Sequence, residues 1–521
     1  MGANRYGDGN AANVDGQRLQ IIIVDEISMV DAKLFSTFGV KVKFKCKESP
    51  WGAYNFGGCI VIVCGDFVQL PPTGGTTLDT PPDATYHHLT SDHVIRSGLE
   101  LIWNNPELKL FELCEQVRCD DEWWVSVWIA MRFGRLSSVD VDFMHGLDTP
   151  VPGSFLDGAV LCGSEECLAL VDQCAIEIRR RECSICSRHR DDRHVIRPFS
   201  PDDERWQRAQ AEGARLLCAE NIDVYAHGLA RARAEAMELK QPFLIACAHD
   251  VILWDPGMST DRKLRLKKAW LDVDASKANN LGGKVPIAVG LTVALSMHMK
   301  NGDRGKYGLT KNRTGKIVGW KSNEQEPPHT PETTHFAQVP DVVYVQFYGK
   351  DGKPATWKHP DVPGTSGVYP VKKEKVIWHV ANNEDQPVSR FQIPLVPGLT
   401  STIHVAQGTE MFPIIKLDKS MTPTHVFVAM TRSRRSSRCL IEPSDEFDFS
   451  VFGKGTPLNP KNELLLAHLR GDENFEGQLA EYHSRAKAKK PKADPKSISS
   501  ARTLAGRSRR RCTHRCDGQY L

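Results

Sequence analysis

No apolar run in these 521 residues approaches the roughly 18 that would suggest a membrane span, and the longest clean strand-like run is Ile21 to Val24. The amino terminus, Met1 to Arg18, is rich in Gly and Asn and has neither an apolar core nor a small-residue cleavage pattern, so no secretory signal is visible. A disulfide framework is also missing: fifteen cysteines, odd in number and without a repeated spacing, point instead to a reducing compartment. Nor is there a strong net charge. The formal +3 hides an asymmetry, because Glu481 to Leu521 hold twelve Lys and Arg against three acids, which is +9 and leaves −6 for residues 1–480. The two basic clusters there, Lys487 to Lys492 and Arg507 to Arg511, read either as nuclear-import or nucleic-acid-binding patches or as a solvated tail with no partner.

What is present is an ordinary globular composition, 40% hydrophobic and 25% charged, in a chain long enough for two or three domains. The first periodic signal is Leu19-Gln20-Ile21-Ile22-Ile23-Val24-Asp25-Glu26, and a second apolar run, Cys59 to Cys64, leads into Gly65-Asp66-Phe67-Val68-Gln69-Leu70-Pro71-Pro72. Near-continuous apolar runs of this length predict strands buried on both faces of a parallel sheet, and so an α/β layer. Polar residues at the carboxyl ends of such strands fall in the crevice where open α/β sheets bind nucleotides. Asp25 suits a water-mediated hold on Mg2+, a hard cation that takes oxygen ligands. Glu26 is placed to orient or deprotonate an attacking water, and Gln69, which both donates and accepts, can register a γ-phosphate. Alone, an apolar strand ending in Asp-Glu occurs in many folds.

The pair of segments is more specific. IIIVDEISMVDAKLF (21–35) resembles the second motif, and GDFVQLPP (65–72) the third, of the Pif-one and RecD-like superfamily-one DNA helicases. Later segments continue in that family's order. Leu113 to Arg118, followed by Asp120-Asp121, resembles the segment of the motif-four arginine, here Arg118. Thr402-Ile403-His404-Val405-Ala406-Gln407-Gly408-Thr409 resembles motif five, and His425 to Arg432 resembles motif six. The helicase half of Helitron transposons is similar too.

The resemblance implies a fold of two RecA-like domains of the P-loop NTPase kind, the first incomplete, with a small β-barrel-like insertion and a disordered basic tail. Its boundaries would be a leader at 1–18, a partial first domain at 19–155, a second at 156–445 with the insertion at about 285–390, and a tail at 446–521, basic from about 481. It implies ATP and Mg2+ as ligands, single-stranded DNA as partner, and work in genome maintenance, repair or recombination in the nucleus. Catalytic roles fall to Asp25, Glu26, Gln69, Arg118 and Arg432, the last as an arginine finger supplied within the chain. Nucleotide contacts fall to Asp25, Asp66, Gln69, Gln407 and Gly408, and DNA contacts to Thr402, His404 and Gln407. Val405 stands where relatives usually carry a lysine.

The family's first motif, a Gly-rich loop ending in Gly-Lys-Ser or Gly-Lys-Thr whose amides cradle phosphates, is not found in the sequence. Only twenty-four residues precede Asp25, so the resemblance predicts an amino-terminally truncated motor. Gly315-Lys316 mimics the loop's end but lacks the earlier Gly and the following Ser or Thr. Cys183 and Cys186, with His189 and His194 behind, approach zinc-ligand spacing, although a single Cys pair in Arg-rich surroundings weighs against a metal. Two functions therefore stand side by side: an ATP-dependent DNA helicase, and a nucleic-acid-binding remnant without turnover.

Overall fold

The computed structural model describes residues 19–81, 93–113, 115–119, 121–137, 140, 204–253, 257–273, 275–300, 302–322, 334–349, 352–380, 383–442 and 447–489. The Cys183/Cys186/His189/His194 group, the Arg507 to Arg511 cluster and the part of the Lys487 to Lys492 cluster beyond Lys489 lie outside them.

The first unit is a βαβ element. Strand β1 (Ile21–Val24) pairs in parallel with β2 (Ile60–Val63), Ile21 opposite Ile60 and Val24 opposite Val63, and helix α1 (Ala32–Lys45) forms the crossover between them. Asp31 caps α1, its carboxylate accepting from the Leu34 amide at 3.0 Å. Helix α2 (His93–Trp103) packs on α1 so closely that a Cβ on Gly98 would sit 1.9 Å from the Ala32 carbonyl oxygen. The expectation of strands buried on both faces does not hold here. Ile22, Val24, Val61 and Val63 face the helices, whereas Ile23 is 67% and Ile60 63% exposed, because among the described residues helices cover one face only.

The second unit carries the two-sided sheet. Strands β3 (Arg215–Cys218), β14 (Thr400–Thr402), β15 (Pro413–Lys416) and β16 (Leu440–Glu442) run parallel in the order β14-β3-β15-β16. Leu217, Ile415 and Ile441 point into one core and Leu216, Ile414 and Leu440 into another. Between β3 and β14 the described residues build three antiparallel sheets. One pairs β4 (Leu244–Cys247) with β6 (Lys284–Ile287). The largest, five-stranded, orders β10-β9-β8-β7-β13 from β7 (Thr292–Leu295), β8 (Thr314–Lys321), β9 (Val342–Phe347), β10 (Val368–Lys372) and β13 (Leu395–Pro397), around where the sequence sets a small β insertion. Gly315 and Lys316 sit inside β8, opposite Phe347 and Gln346.

The third sheet is β11-β12-β5, from β5 (His249–Ile252), β11 (Glu374–Val380) and β12 (Asn383–Gln392). Its centre is a buried ion pair. Arg390 reaches both oxygens of Asp250, at 2.8 and 2.7 Å, donates to the Trp270 and Leu281 carbonyls, and lies under the Trp378 ring at 4.9 Å. Every group is matched, which a buried guanidinium requires.

The two units exchange helices. Helix α3 (Glu122–Phe133), early in the chain, buries Trp124, Val127, Trp128 and Met131 against Ile403, Val426, Phe427 and Phe449 of the second unit. Helices α4 (Pro460–Arg470) and α5 (Phe475–Lys489), late in the chain, return to the first, where Leu464 and Leu465 share a core with Phe35, Leu99 and Ile102. Asn459 anchors this return, its amide donating to the Phe67 carbonyl at 2.6 Å and to Asp79 at 2.7 Å. Helix α5 runs to Lys489, past the point where the sequence begins to read as a basic tail. Among the described residues no helix is long and apolar enough to cross a membrane.

Candidate active site

The polar ends of β1 and β2 lie side by side because the two strands are in register. Asp25 accepts from the Glu26 amide at 2.9 Å, and Glu26 takes a left-handed conformation, φ 53°, at the start of a short 3-10 turn. Such a φ is sterically unfavourable for a residue with a Cβ, and positions of this kind persist where the surroundings impose them. Here the Ile27 amide is pinned to the Cys64 carbonyl at 3.0 Å. The loop after β2 is held by Asp66: one carboxylate oxygen accepts from Val68 N at 3.0 Å, and the other pairs with Arg132 of α3 at 2.6 Å. That loop presents Gln69, while Val68 and Leu70 sink into the core of the second unit.

The second unit meets these residues from across the cleft. Thr402 caps a short helix, Ile403–Ala406, and directly after it Gln407 donates its amide to Glu26 at 2.8 Å and to Ser28 at 3.3 Å. The other amide atom of Gln407, its oxygen, is buried without a partner. Gly408 follows with φ 76°, and a Cβ there would come within 3.1 Å of a Glu26 carboxylate oxygen, so both conformation and space call for glycine.

Arg432 lies two residues beyond helix Pro423–Met430 and is 2% exposed. Its guanidinium donates to the Val428 carbonyl and the Thr431 hydroxyl, each at 2.9 Å, and reaches Gln69 Oε1 at 3.5 Å. Burial, with the charge of Arg118 adding to it, pulls Arg432 down to about 10, while Glu26 acts in the opposite sense. Arg432 thus remains a cation at neutral pH, in a setting where a further anion would be welcome.

The structure therefore brings Glu26, Gln69, Gln407, Gly408 and Arg432 together, and Arg118, itself exposed, is near enough for its charge to act on Arg432. Asp25 lies one residue from this group. Asp66 spends both oxygens on the loop and on Arg132. His404 stacks edge-on against His425, ring centroids 5.5 Å apart, and burial lowers the pKa of both. Among the described residues no three His, Cys, Asp or Glu side chains form a metal cluster, so a divalent cation would depend on Asp25 and on ligands that come with a phosphate. The fit is one-sided: two arginines, a glutamate and an orphaned amide oxygen suit the far end of a polyphosphate and an attacking water. No Gly-Lys-Ser or Gly-Lys-Thr loop in the sequence supplies the opposite cradle.

Two supporting residues were not legible beforehand. Asp121 caps α3 through Trp124 N at 3.0 Å and also accepts from Ser436 N at 2.9 Å and Ser436 Oγ at 2.7 Å, which ties α3 to the turn after Arg432. An Asp three residues before a Trp signals a helix start, but nothing in it signals Ser436. Arg132, in the last turn of the same helix, had no cue for its pairing with Asp66.

Comparison with known proteins gives one family model, described as PIF1-like helicase, matching residues 9–88. The human ATP-dependent DNA helicase PIF1 is 34% identical over 108 residues, 20% of this chain and 16% of that protein. The Saccharomyces cerevisiae ATP-dependent DNA helicase PIF1 is 21% identical over 452 residues, 80% of this chain and 47% of that protein. The chain spans less than half the length of these curated relatives. Among solved structures, a Bacteroides Pif1 helicase in complex with ADP-AlF3 and ssDNA superposes with a TM-score of 0.46 at 15% identity, covering 84% of this chain and 73% of that one. The Candida albicans Pif1 helicase gives 0.44 at 15%, covering 83% and 74%.

Proposed function

We propose that the chain is a member of the PIF1-like helicase family, whose model matches residues 9–88, and that it works as the motor of an ATP-dependent DNA helicase, hydrolysing ATP between its two units while engaged on single-stranded DNA. The observation that carries this reading is the pair of contacts across the cleft, Gln407 to Glu26 and Arg432 to Gln69. Both link groups suited to a γ-phosphate, and both change if the units part.

In this reading Glu26 orients the attacking water and accepts its proton, and Gln407 fixes the carboxylate for that task. Arg432, with Arg118 beside it, sets a guanidinium against the charge that grows on the transferred phosphoryl group. Asp25 would hold Mg2+ through water, and the cation, when bound, would neutralise phosphate oxygens. Gln69 reports the occupied state to the loop pinned by Asp66. Thr402 and His404 would meet DNA on the same short helix that delivers Gln407, so that strand and nucleotide bias one element. The basic stretches of the carboxyl-terminal segment would add phosphate contacts or direct the protein to the nucleus.

The test is ATP turnover with and without single-stranded DNA, comparing the native chain with Arg432→Ala. Turnover stimulated by DNA and reduced by about 10³-fold or more in the variant is the expected result. An unchanged rate in the variant would remove Arg432 from the mechanism. The same assay decides the second reading, a nucleic-acid-binding remnant, which predicts salt-dependent DNA binding with no turnover by the native chain.

A further inference from the structure

Away from the cleft, at the far end of the first unit, two thiols face each other. Cys46 is the residue at which α1 stops, its amide still bonded to the Val42 carbonyl at 2.9 Å, and Cys59 immediately precedes β2. Their sulfurs are 3.8 Å apart, and the Cys59 thiol also lies 3.3 Å from the Leu19 carbonyl at the entrance to β1. The intervening loop is folded tightly on itself. A Cβ on Gly57 would fall 2.4 Å from the Cys46 Cβ, and one on Gly58 2.2 Å from the Trp51 Cβ. Bonds from Ser49 N to the Cys46 carbonyl and from Cys59 N to the Phe56 carbonyl, at 2.9 and 3.3 Å, fix the backbone beside each cysteine. The loop is thus already closed, and the sulfurs have to move from 3.8 Å to the bonded distance of about 2.05 Å.

We propose that Cys46 and Cys59 are an oxidisable dithiol, which a small disulfide such as glutathione disulfide converts to an intramolecular disulfide fastening the end of α1 to the start of β2. Cys59 is partly exposed and Cys46 buried, so the reagent meets Cys59 first. The Cys59 thiolate attacks one sulfur of the reagent and expels one glutathione thiolate, giving a mixed disulfide. Cys46, deprotonated in turn, attacks the Cys59 sulfur and expels the second glutathione. Two glutathione thiols form, and the two protein thiols have given up their hydrogens and two electrons. Burial first, then the hydrogen bond and charge of Cys46, push the Cys59 thiol up to about 11, which leaves little thiolate at neutral pH. The scarcity of thiolate makes the exchange slow, and the pair closes when the disulfide pool rises.

The full chain, incubated with glutathione disulfide, alkylated and digested, is read by mass spectrometry. The expected result is a peptide linking Cys46 to Cys59, lost on treatment with dithiothreitol and still formed in Cys64→Ser, the control for the neighbouring cysteine. The oxidised chain should melt several degrees higher than the reduced one, a difference absent in Cys59→Ser. The proposal is overturned if Cys59 accumulates as the glutathione adduct without a link. It is equally overturned if Cys46 is linked to Cys64, or if both thiols stay free while other cysteines of the chain oxidise. Because mapping is done on the native chain, no variant has to fold for the proposal to fail.

Discussion

Gln407 does two things with one side chain: it holds the Glu26 carboxylate and places an unsatisfied oxygen in the cleft. A hydrogen bond to a charged group contributes about 1.5–3 kcal/mol. Under the proposed function, Gln407→Ala is expected to lower DNA-stimulated ATP turnover by about ten- to a hundredfold, with Gln407→Glu worse still because it sets two carboxylates together; steady-state kinetics at saturating ATP measure it. The His404–His425 pair gives a pH dependence. Burial lowers both, and the charge of His404 adds to the effect on His425, so the folded state binds fewer protons than the unfolded chain below the ordinary histidine value of 6.5. Stability contributed by the neutral rings is complete above that value and falls as pH drops through the window beneath it. Urea midpoints at pH 7.5 and 5.5 should differ less in a His404→Gln/His425→Gln variant than in the native chain. Asp25, Glu26 and Gln69 were readable as candidates from their place after apolar strand runs, whereas Gln407, Gly408 and Arg432 were candidates only through the family resemblance. Which of them touch across the cleft was not readable, since a contact such as Gln407 to Glu26 spans 381 positions and leaves no periodic trace.

Among the elements, the β11-β12-β5 sheet depends on a group that would be costly alone. Arg390→Ala leaves Asp250 charged and buried, and breaking such a pair costs about 3–5 kcal/mol. Chemical denaturation should show that loss, whereas Arg390→Met paired with Asp250→Leu should recover most of it. Gly98 makes a second prediction. Its Cβ position lies on the Ala32 carbonyl, so Gly98→Ala should force α1 and α2 apart and destabilise the first unit, in spite of alanine's better helix propensity. The strand runs of the first unit were legible from their apolar residues. The faces they bury were not, because Ile21 to Val24 reads the same whether one layer or two covers it. The parallel sheet of the second unit is apolar on both sides through strands of three or four residues, each too short to announce itself.

For the whole molecule, the exchange of helices makes the cleft a property of the entire chain. The stretch from Asn459 to Tyr482 fastens the first unit from behind: His468 bonds to the Trp103 carbonyl at 2.6 Å and Arg470 holds the Glu112 carboxylate, while Phe475 packs on both rings of the Trp103–His468 pair. A chain ending at residue 458 should therefore expose the Leu99 and Trp103 surface, bind a hydrophobic dye and lose the cooperative melting of the first unit. Retention of a single sharp transition would show that unit to be self-sufficient. No sequence pattern separates Leu464 and Leu465 from any other amphipathic helix, which is why their partner, some 360 positions earlier, could not be read from the residues.

The same return sets an order of events during synthesis. At roughly 5–20 residues per second, a ribosome needs about 20–70 s to travel from Trp103 to Leu465. For that interval the helical face of the first βαβ element waits without its last layer, next to an outer face that is itself apolar at Ile23 and Ile60. The nascent chain is thus most exposed to aggregation before Pro460–Lys489 is made, and a holdase chaperone would be most needed in that window.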